Sequence, residues 1–315
     1  MNFYDKLHYD DLSVYQQINF TPLLPGHADP PWTGYNLKRT TTIEGSSMSD
    51  SASANLRTSS QRESLWLSRE QPVLDALKEE LVGCQLFIDV GANIGDYTYL
   101  ANSHLHNAKV ICVEPNTDLN SVLEETIRTA TSESNNNNSF QIVNKVISDS
   151  TGTIDFYVAS NPTLSSINNR NVQQSKRVVE SIPLDSLFDS GLKTLIKMDI
   201  EGAEYQAVRS GKKFLQSGNT KFLIELHAWG DKALKKYPLN VTNIFFMNGY
   251  RIRKIDPTYV FGSHYVFEKS TLLPRVTSYI HYFPLFFAQY VLYRLFENQA
   301  SKFVKFLRRF KKSEE

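Results

Sequence analysis

The spacing of apolar positions changes along this chain, and each change marks an element. Between residues 64 and 82, Leu65, Leu67, Val73, Leu74, Leu77, Leu81 and Val82 recur, the later ones at helical intervals, which predicts a lead-in helix. Short apolar runs then take over. Leu86, Phe87 and Ile88 predict a first strand, 110–113 a second and 140–147 a third. Runs at 153–158, 178–182, 192–198, 221–227, 250–255 and 264–268 predict six more. Helical spacing returns at 117–130 (Leu119, Val122, Leu123, Ile127), at 205–211 and at 241–247.

The first strand runs into Asp89 and then into a turn carrying Gly91 and Gly95, after which residues 97–101 suit a helix. Strand, glycine turn and helix form the opening unit of a nucleotide-type α/β fold, in which glycine admits close backbone approach and the helix N-terminus favours polar or anionic groups. The dinucleotide fingerprint has three glycines in G-x-G-x-x-G. Here two stand in G-x-x-x-G, and Asp89 would repel a phosphate but suit an ammonium. The turn therefore points to S-adenosylmethionine rather than a nicotinamide dinucleotide. The second strand ends in Glu114, which follows Gly95 at roughly the 20-residue spacing at which a carboxylate reaches ribose hydroxyls. Asp149, placed at the end of the third predicted strand, could meet an adenine edge or simply serve the turn 148–152.

A second chemical centre lies further on. The strand 192–198 delivers Asp199, and Glu201, Gly202 and Glu204 follow before the next helix. The period-two rule puts Lys197, Asp199 and Glu201 on one strand face, and likewise Glu225 and His227. Open α/β sheets bind ligands at the carboxyl ends of their strands, so Asp199 and His227 are both candidate general bases. Glu201 and Glu204 could orient that base, bind a sugar or hold a divalent ion, with no independent sign of a metal.

Composition narrows the class. The chain has 315 residues, 41% hydrophobic and 21% charged, with a net charge of +1. These values fit a soluble globular protein and give no global polyanion-binding signature, so no nucleic-acid partner is expected. Its two cysteines, Cys84 and Cys112, lie at or in apolar segments, which argues against a disulfide scaffold and for a reducing, cytoplasmic setting, or at least for indifference to oxidation. The first residues lack a basic and then apolar leader, so no signal peptide is expected.

Three regions result: an irregular arm and Ser/Thr-rich linker at 1–63, a catalytic domain at 64–270, and an aromatic and basic tail at 271–315. The asparagine run at 135–138 reads as a low-complexity loop without chemistry. The loop 160–167 could close over a site. In the tail, Pro284, Gln289 and Arg294 interrupt the apolar run, which argues against a spanning helix. At 302–312, Phe303, Phe306, Leu307 and Phe310 share a helical face beside six Lys/Arg, the pattern of an interfacial helix. A peripheral membrane contact through 279–312 is therefore an expectation.

Taken together, D-V-G-A-N-I-G-D at 89–96, V-E-P-N at 113–116, I-K-M-D-I-E-G-A-E at 196–204 and I-E-L-H at 224–227 resemble the FkbM family of S-adenosylmethionine-dependent methyltransferases. The resemblance spans roughly residues 64–268. It implies a class I methyltransferase fold: a seven-stranded, mostly parallel Rossmann-like sheet flanked by helices, its last strand antiparallel. It also implies O-methylation of a hydroxyl on a sugar, glycan or natural product. On that reading Asp89, Gly91, Asn93 and Gly95 line the methionine side of the cofactor and Glu114 takes the ribose. Asp199, His227 and Glu201 then face the acceptor. The competing reading is an inactive methyltransferase-like scaffold at a membrane surface. Oligomeric state is not legible.

Overall fold

A computed structural model describes residues 71–159, 165–168, 174–227, 238–255, 263–284 and 286–287. The arm and linker at 1–63, the start of the lead-in segment, and the basic run at 302–312 lie outside the described residues.

The lead-in helix is α1, Gln71–Glu80, with Val73, Leu74 and Leu77 on its buried stripe. It feeds β1 (Leu86–Val90), then α2 (Asp96–His104), β2 (Lys109–Val113), α3 (Asn120–Ser132) and β3 (Ser139–Val143). Three strands follow, β4 (Val146–Ile147), β5 (Gly152–Ala159) and β6 (Gln174–Ile182). The chain returns through β7 (Thr194–Met198), α4 (Glu204–Arg209), α5 (Lys212–Gln216) and β8 (Thr220–Leu226). It continues with α6 (Pro238–Met247), β9 (Tyr250–Lys254), β10 (Ser263–Lys269) and helical residues 272–284.

Seven strands form one sheet in the order β3-β2-β1-β7-β8-β10-β9, and β4-β6-β5 form a second, smaller sheet. In the large sheet β10 runs antiparallel to both neighbours, and the pairs from β3 to β8 are parallel. This is the mostly parallel sheet with an antiparallel last strand that the resemblance implies. β1 and β7 are buried along their whole length, because helices cover both faces of the central strands.

Period two sorts the core into two layers. Leu86, Ile88, Val90, Ile196, Met198, Phe222 and Ile224 pack on one face with Ala207, Phe214 and Phe245 of the later helices. Phe87, Val110, Cys112, Leu195 and Leu223 pack on the other with Val73, Leu77, Ala101 and Leu123 of the earlier ones. On the first face Phe245 stacks on Phe267 with ring centroids 3.9 Å apart. The edge strand β9 is covered: Ile252 N donates to Ser278 Oγ and Lys254 N to Tyr282 Oη, both from the helix 272–284.

One expectation needs correction. The apolar run 140–147 is not one strand. Asn144 leaves the ladder after Val143, its Nδ2 donating to the Glu114 carbonyl and to Asn120 Oδ1, and Val146–Ile147 joins the small sheet instead. The asparagine run plays an architectural part. Asn138 accepts from Ala108 N and donates to Asn102 and Leu105, and Asn136 donates to the Asn102 carbonyl, so the run ties the α2–β2 connection to β3.

Candidate active site

β1 ends in a turn built on three left-handed residues, Gly91 (φ 79°), Asn93 (φ 51°) and Gly95 (φ 87°). Each glycine has a steric reason. A Cβ on Gly91 would lie 2.0 Å from the Asp199 carbonyl oxygen, so only glycine lets the β1 turn approach the end of β7. A Cβ on Gly95 would meet Leu123 and Thr126 at 2.7 and 3.0 Å, which makes this glycine the contact of α2 with α3. Thr126 Oγ1 also donates to the Ile94 carbonyl, fixing the turn from below.

Glu114 stands at the end of β2 and faces that turn. Its Oε2 accepts from Asn93 N at 2.9 Å and its Oε1 from Asn116 N at 2.8 Å. Burial raises its carboxyl above the ordinary glutamate value, while the two backbone donors and Lys197 pull the other way. A carboxylate oxygen carries two lone pairs, so each oxygen keeps acceptor capacity for a diol. This pair of acceptor oxygens is suited to the two hydroxyl donors of a ribose.

Asp89 is used within the fold. Its side chain is fully buried, with Oδ2 accepting from Thr98 Oγ1 at 2.8 Å. Oδ1 lies 3.5 Å from Lys197 Nζ, its direct cross-strand neighbour on β7. Lys197 Nζ also sits 4.2 Å above the Tyr97 ring. Thus Asp89 supports the turn from beneath and neutralises a buried lysine. Asp149 lies apart from these groups along the chain. It follows β4 in the small sheet rather than the end of β3, and its exposed carboxylate is 3.6 Å from Arg209 Nε.

The acidic centre assembles in a way that the period-two rule does not describe. β7 stops at Met198, and Glu201 (φ 56°) and Gly202 (φ 96°) turn left-handed. That turn, not a continued strand face, carries Glu201 to His227. Around the imidazole stand four carboxylates. Glu204 Oε1 is 2.8 Å from Nδ1, while Glu201 Oε2, Glu225 Oε1 and Asp199 Oδ1 are 3.4, 3.5 and 3.9 Å from Nε2. Glu204 Oε1 also accepts from Gly202 N at 2.9 Å, so the turn orients the carboxylate that orients the imidazole. Burial would lower the His227 pKa, but Glu201, Glu225 and Glu204 outweigh it and raise it well above the ordinary value. Glu225 is pushed up to about 7, first by burial and then by the Asp199 charge. Asp199 is held below the ordinary aspartate value: burial opposes this, but Lys197, His227 and His264 prevail.

Access differs sharply within the group. The side chains of Asp199, Glu201 and His227 are 31%, 15% and 2% exposed, so the carboxylates and not the imidazole meet solvent. From the segment bridged to β5 at Tyr157, Ser166 Oγ and Asn168 Nδ2 donate to the Glu201 carbonyl, pinning part of the loop at 160–167 beside the centre. Ser166 was not legible as a site residue, since serines fill that loop. His264 was missed as well. It lies opposite Glu225 in the β8–β10 register, with Nε2 3.7 Å from Glu225 Oε2, and only the antiparallel pairing reveals this.

Residues 89–252, just over half of the chain, match the model of the methyltransferase FkbM domain. No curated protein matches the chain. Among solved structures, a methyltransferase FkbM from Methylobacillus flagellatus KT is 18% identical, with a TM-score of 0.43 over 59% of this chain and 44% of that one. A precorrin-6y C5,15-methyltransferase from Geobacter metallireducens is 11% identical, with a TM-score of 0.38 over 65% and 91%. An O-methyltransferase family protein from Burkholderia thailandensis is 9% identical, with a TM-score of 0.37 over 70% and 63%. The chain therefore spans less than half the length of the first of these structures.

Proposed function

The chain belongs to the methyltransferase FkbM domain family, and on that premise we propose that it methylates a hydroxyl of a small-molecule, sugar or glycan acceptor, using S-adenosylmethionine. One observation carries the reading: the Gly91 turn touches the Asp199 carbonyl, so the cofactor-side turn and the acid–imidazole cluster share one end of adjacent strands.

When bound, S-adenosylmethionine supplies a methyl group on a sulfonium, already activated toward attack. Everything else falls to the chain. Glu114 holds the ribose hydroxyls, and the backbone of Gly91 and Asn93 lines the turn beside it. The fully buried Asp89 carboxylate keeps that turn in shape through Thr98. An acceptor hydroxyl is a poor nucleophile at neutral pH and needs a group to take its proton. Asp199, Glu225 and Glu201 are the cluster members that meet solvent, and Asp199, the most open of them, is the group we assign to that proton. His227 lies too deep to reach a bulky acceptor and acts by holding the two carboxylates in place, itself held by Glu204.

Calorimetric titration of the purified chain tests this. S-adenosylmethionine is expected to bind and NAD not to bind, and Glu114→Ala is expected to abolish the first signal. Absence of binding by the intact chain would reduce the turn to architecture and bring the scaffold reading forward. We also assign a peripheral membrane contact to the helix at 272–284, where Leu272, Leu273, Ile280 and Phe283 are exposed. Among the described residues no helix is long and apolar enough to cross a membrane. Flotation with anionic vesicles, lost on Ile280→Asp with Phe283→Asp, checks that contact.

A further inference from the structure

We propose that Asp199, Glu201 and His227 together bind one divalent cation, which makes the acceptor half of the site a metal centre. The inference rests on the methyl-transfer reading for its purpose, but not for its geometry.

One donor atom from each residue lies within 4.8 Å of the others. His227 Nε2 is 3.4 Å from Glu201 Oε2 and 3.9 Å from Asp199 Oδ1. Two ligands each about 2.1 Å from one ion are about 3.0 Å apart at an octahedral angle and about 3.4 Å apart at a tetrahedral one. The present spacing thus needs only small side-chain rotations to close on an ion.

Three further features favour a cation. The first is orientation. Glu204 Oε1, 2.8 Å from His227 Nδ1, accepts a hydrogen bond from the Nδ1 proton and leaves Nε2 facing Asp199 and Glu201, where a cation would take the place of the Nε2 proton. A carboxylate on the far nitrogen is the usual support of a metal-bound histidine, because it fixes the ring and makes the ligating nitrogen more basic. The second is an orphaned atom. Asp199 Oδ1 is shielded from solvent and has no hydrogen-bond partner among the described residues, although it points at His227 Nε2. A buried carboxylate oxygen without a donor is costly, and an ion would satisfy it. The third is charge. Asp199, Glu201, Glu204 and Glu225 converge on His227, and the nearby Lys197, which also holds Asp199 down, is shared with Asp89, so the carboxylates still outnumber the cations.

Two carboxylates and one imidazole suit a cation that accepts both oxygen and nitrogen, such as Mn²⁺, with Mg²⁺ as the harder competitor. Bound there, it would orient an acceptor hydroxyl and lower its pKa, so that the proton passes more readily to a cluster carboxylate. His227 and Asp199 would then act on the acceptor through the ion as well as by position.

The test uses the full chain stripped with chelator. Mn²⁺ is titrated while the free ion is followed by electron paramagnetic resonance, and S-adenosylmethionine binding is measured separately by calorimetry. About one Mn²⁺ per chain is expected, displaced by Mg²⁺, with Asp199→Asn and Glu201→Gln each weakening it about tenfold or more. Circular dichroism of the variants confirms their folding. Glu204→Gln, which removes the charge but can still accept from Nδ1, is expected to weaken Mn²⁺ by a smaller factor. Absence of Mn²⁺ binding below about 1 mM, or binding that survives in the Asp199→Asn, Glu201→Gln double variant, overturns the proposal. If Mn²⁺ binds at this site and S-adenosylmethionine does not, the methyl-transfer reading fails while the metal centre stands.

Discussion

Two charged groups lie side by side at the ends of β1 and β7, and they are built on opposite plans. Asp89 and Lys197 form a closed pair: one charge each, cross-strand neighbours, both side chains at most 3% exposed. Asp199, Glu201, Glu204, Glu225 and His227 form an open group in which carboxylates outnumber cations and three of the carboxylates, Asp199, Glu201 and Glu225, meet solvent. A balanced, sealed pair serves the fold, because each charge has its opposite at short range, although Lys197 also reaches Asp199. An unbalanced, partly open group retains electrostatic potential that something outside the chain can satisfy. Charged residues only two positions apart in the chain can thus belong to different kinds of site.

The largest effect expected from this contrast comes from breaking the closed pair. Lys197→Met leaves the Asp89 charge buried without its cation and should cost about 3–5 kcal/mol of stability in urea unfolding. Adding Asp89→Asn should recover a substantial part of that loss, as a double-mutant cycle would show. A variant as stable as the parent would mean that the pair is not closed. Next comes the point where the two groups touch. Gly91→Ala forces a Cβ against the Asp199 carbonyl at a left-handed position. It should cost about 2 kcal/mol or more and weaken S-adenosylmethionine binding as well.

In the open group the same kind of substitution should act on turnover rather than folding. His227→Ala is expected to lower kcat about 100-fold, with cofactor binding nearly intact. Glu204→Gln should lower it about tenfold with little change in KM for the cofactor, the split expected of a residue that acts by positioning another. Equal losses of stability in these variants and in Lys197→Met would erase the distinction between the two groups. The smallest effect is a rate of labelling. Cys112 lies under the closed pair, its thiol raised to about 12 by burial and then by the Asp89 charge, with Thr98 opposing. Cys84 is raised to about 11 by burial. Because raised values leave little thiolate at neutral pH, native protein should resist iodoacetamide until it is unfolded.

Much of this fold is legible in the chain. The strands β1, β2, β7 and β8 are short apolar runs bounded by charge or glycine, and their burial on both faces makes such runs unambiguous. The turn residues Gly91, Asn93 and Gly95 and the strand-end Glu114, which we propose face the cofactor, were readable as one local unit, since their spacing follows the β1–α2–β2 segment in which they lie. What was not readable depends on the ends of strands. The run at 140–147 looks continuous because Asn144 is polar but not a strand breaker, and only its bonds to Glu114 and Asn120 show why the chain leaves the sheet there. The face shared by Lys197, Asp199 and Glu201 fails for the same reason: a periodicity holds only while the strand does, and β7 ends at Met198.

By itself, then, the sequence determined the order of elements, the α/β class, the glycine turn and the set of acidic and imidazole residues available for chemistry. These follow from local spacing and residue type, which a chain carries whether or not it is folded. Tertiary structure alone decided which of those charges oppose each other. Asp89 meets Lys197 because β1 and β7 pair in register, across more than a hundred residues of chain. Glu204 and His227 meet because β8 lies beside β7 and a left-handed turn folds the β7 end toward it. Electrostatic energy depends on distance in space and on burial, and neither is a property of position along the chain.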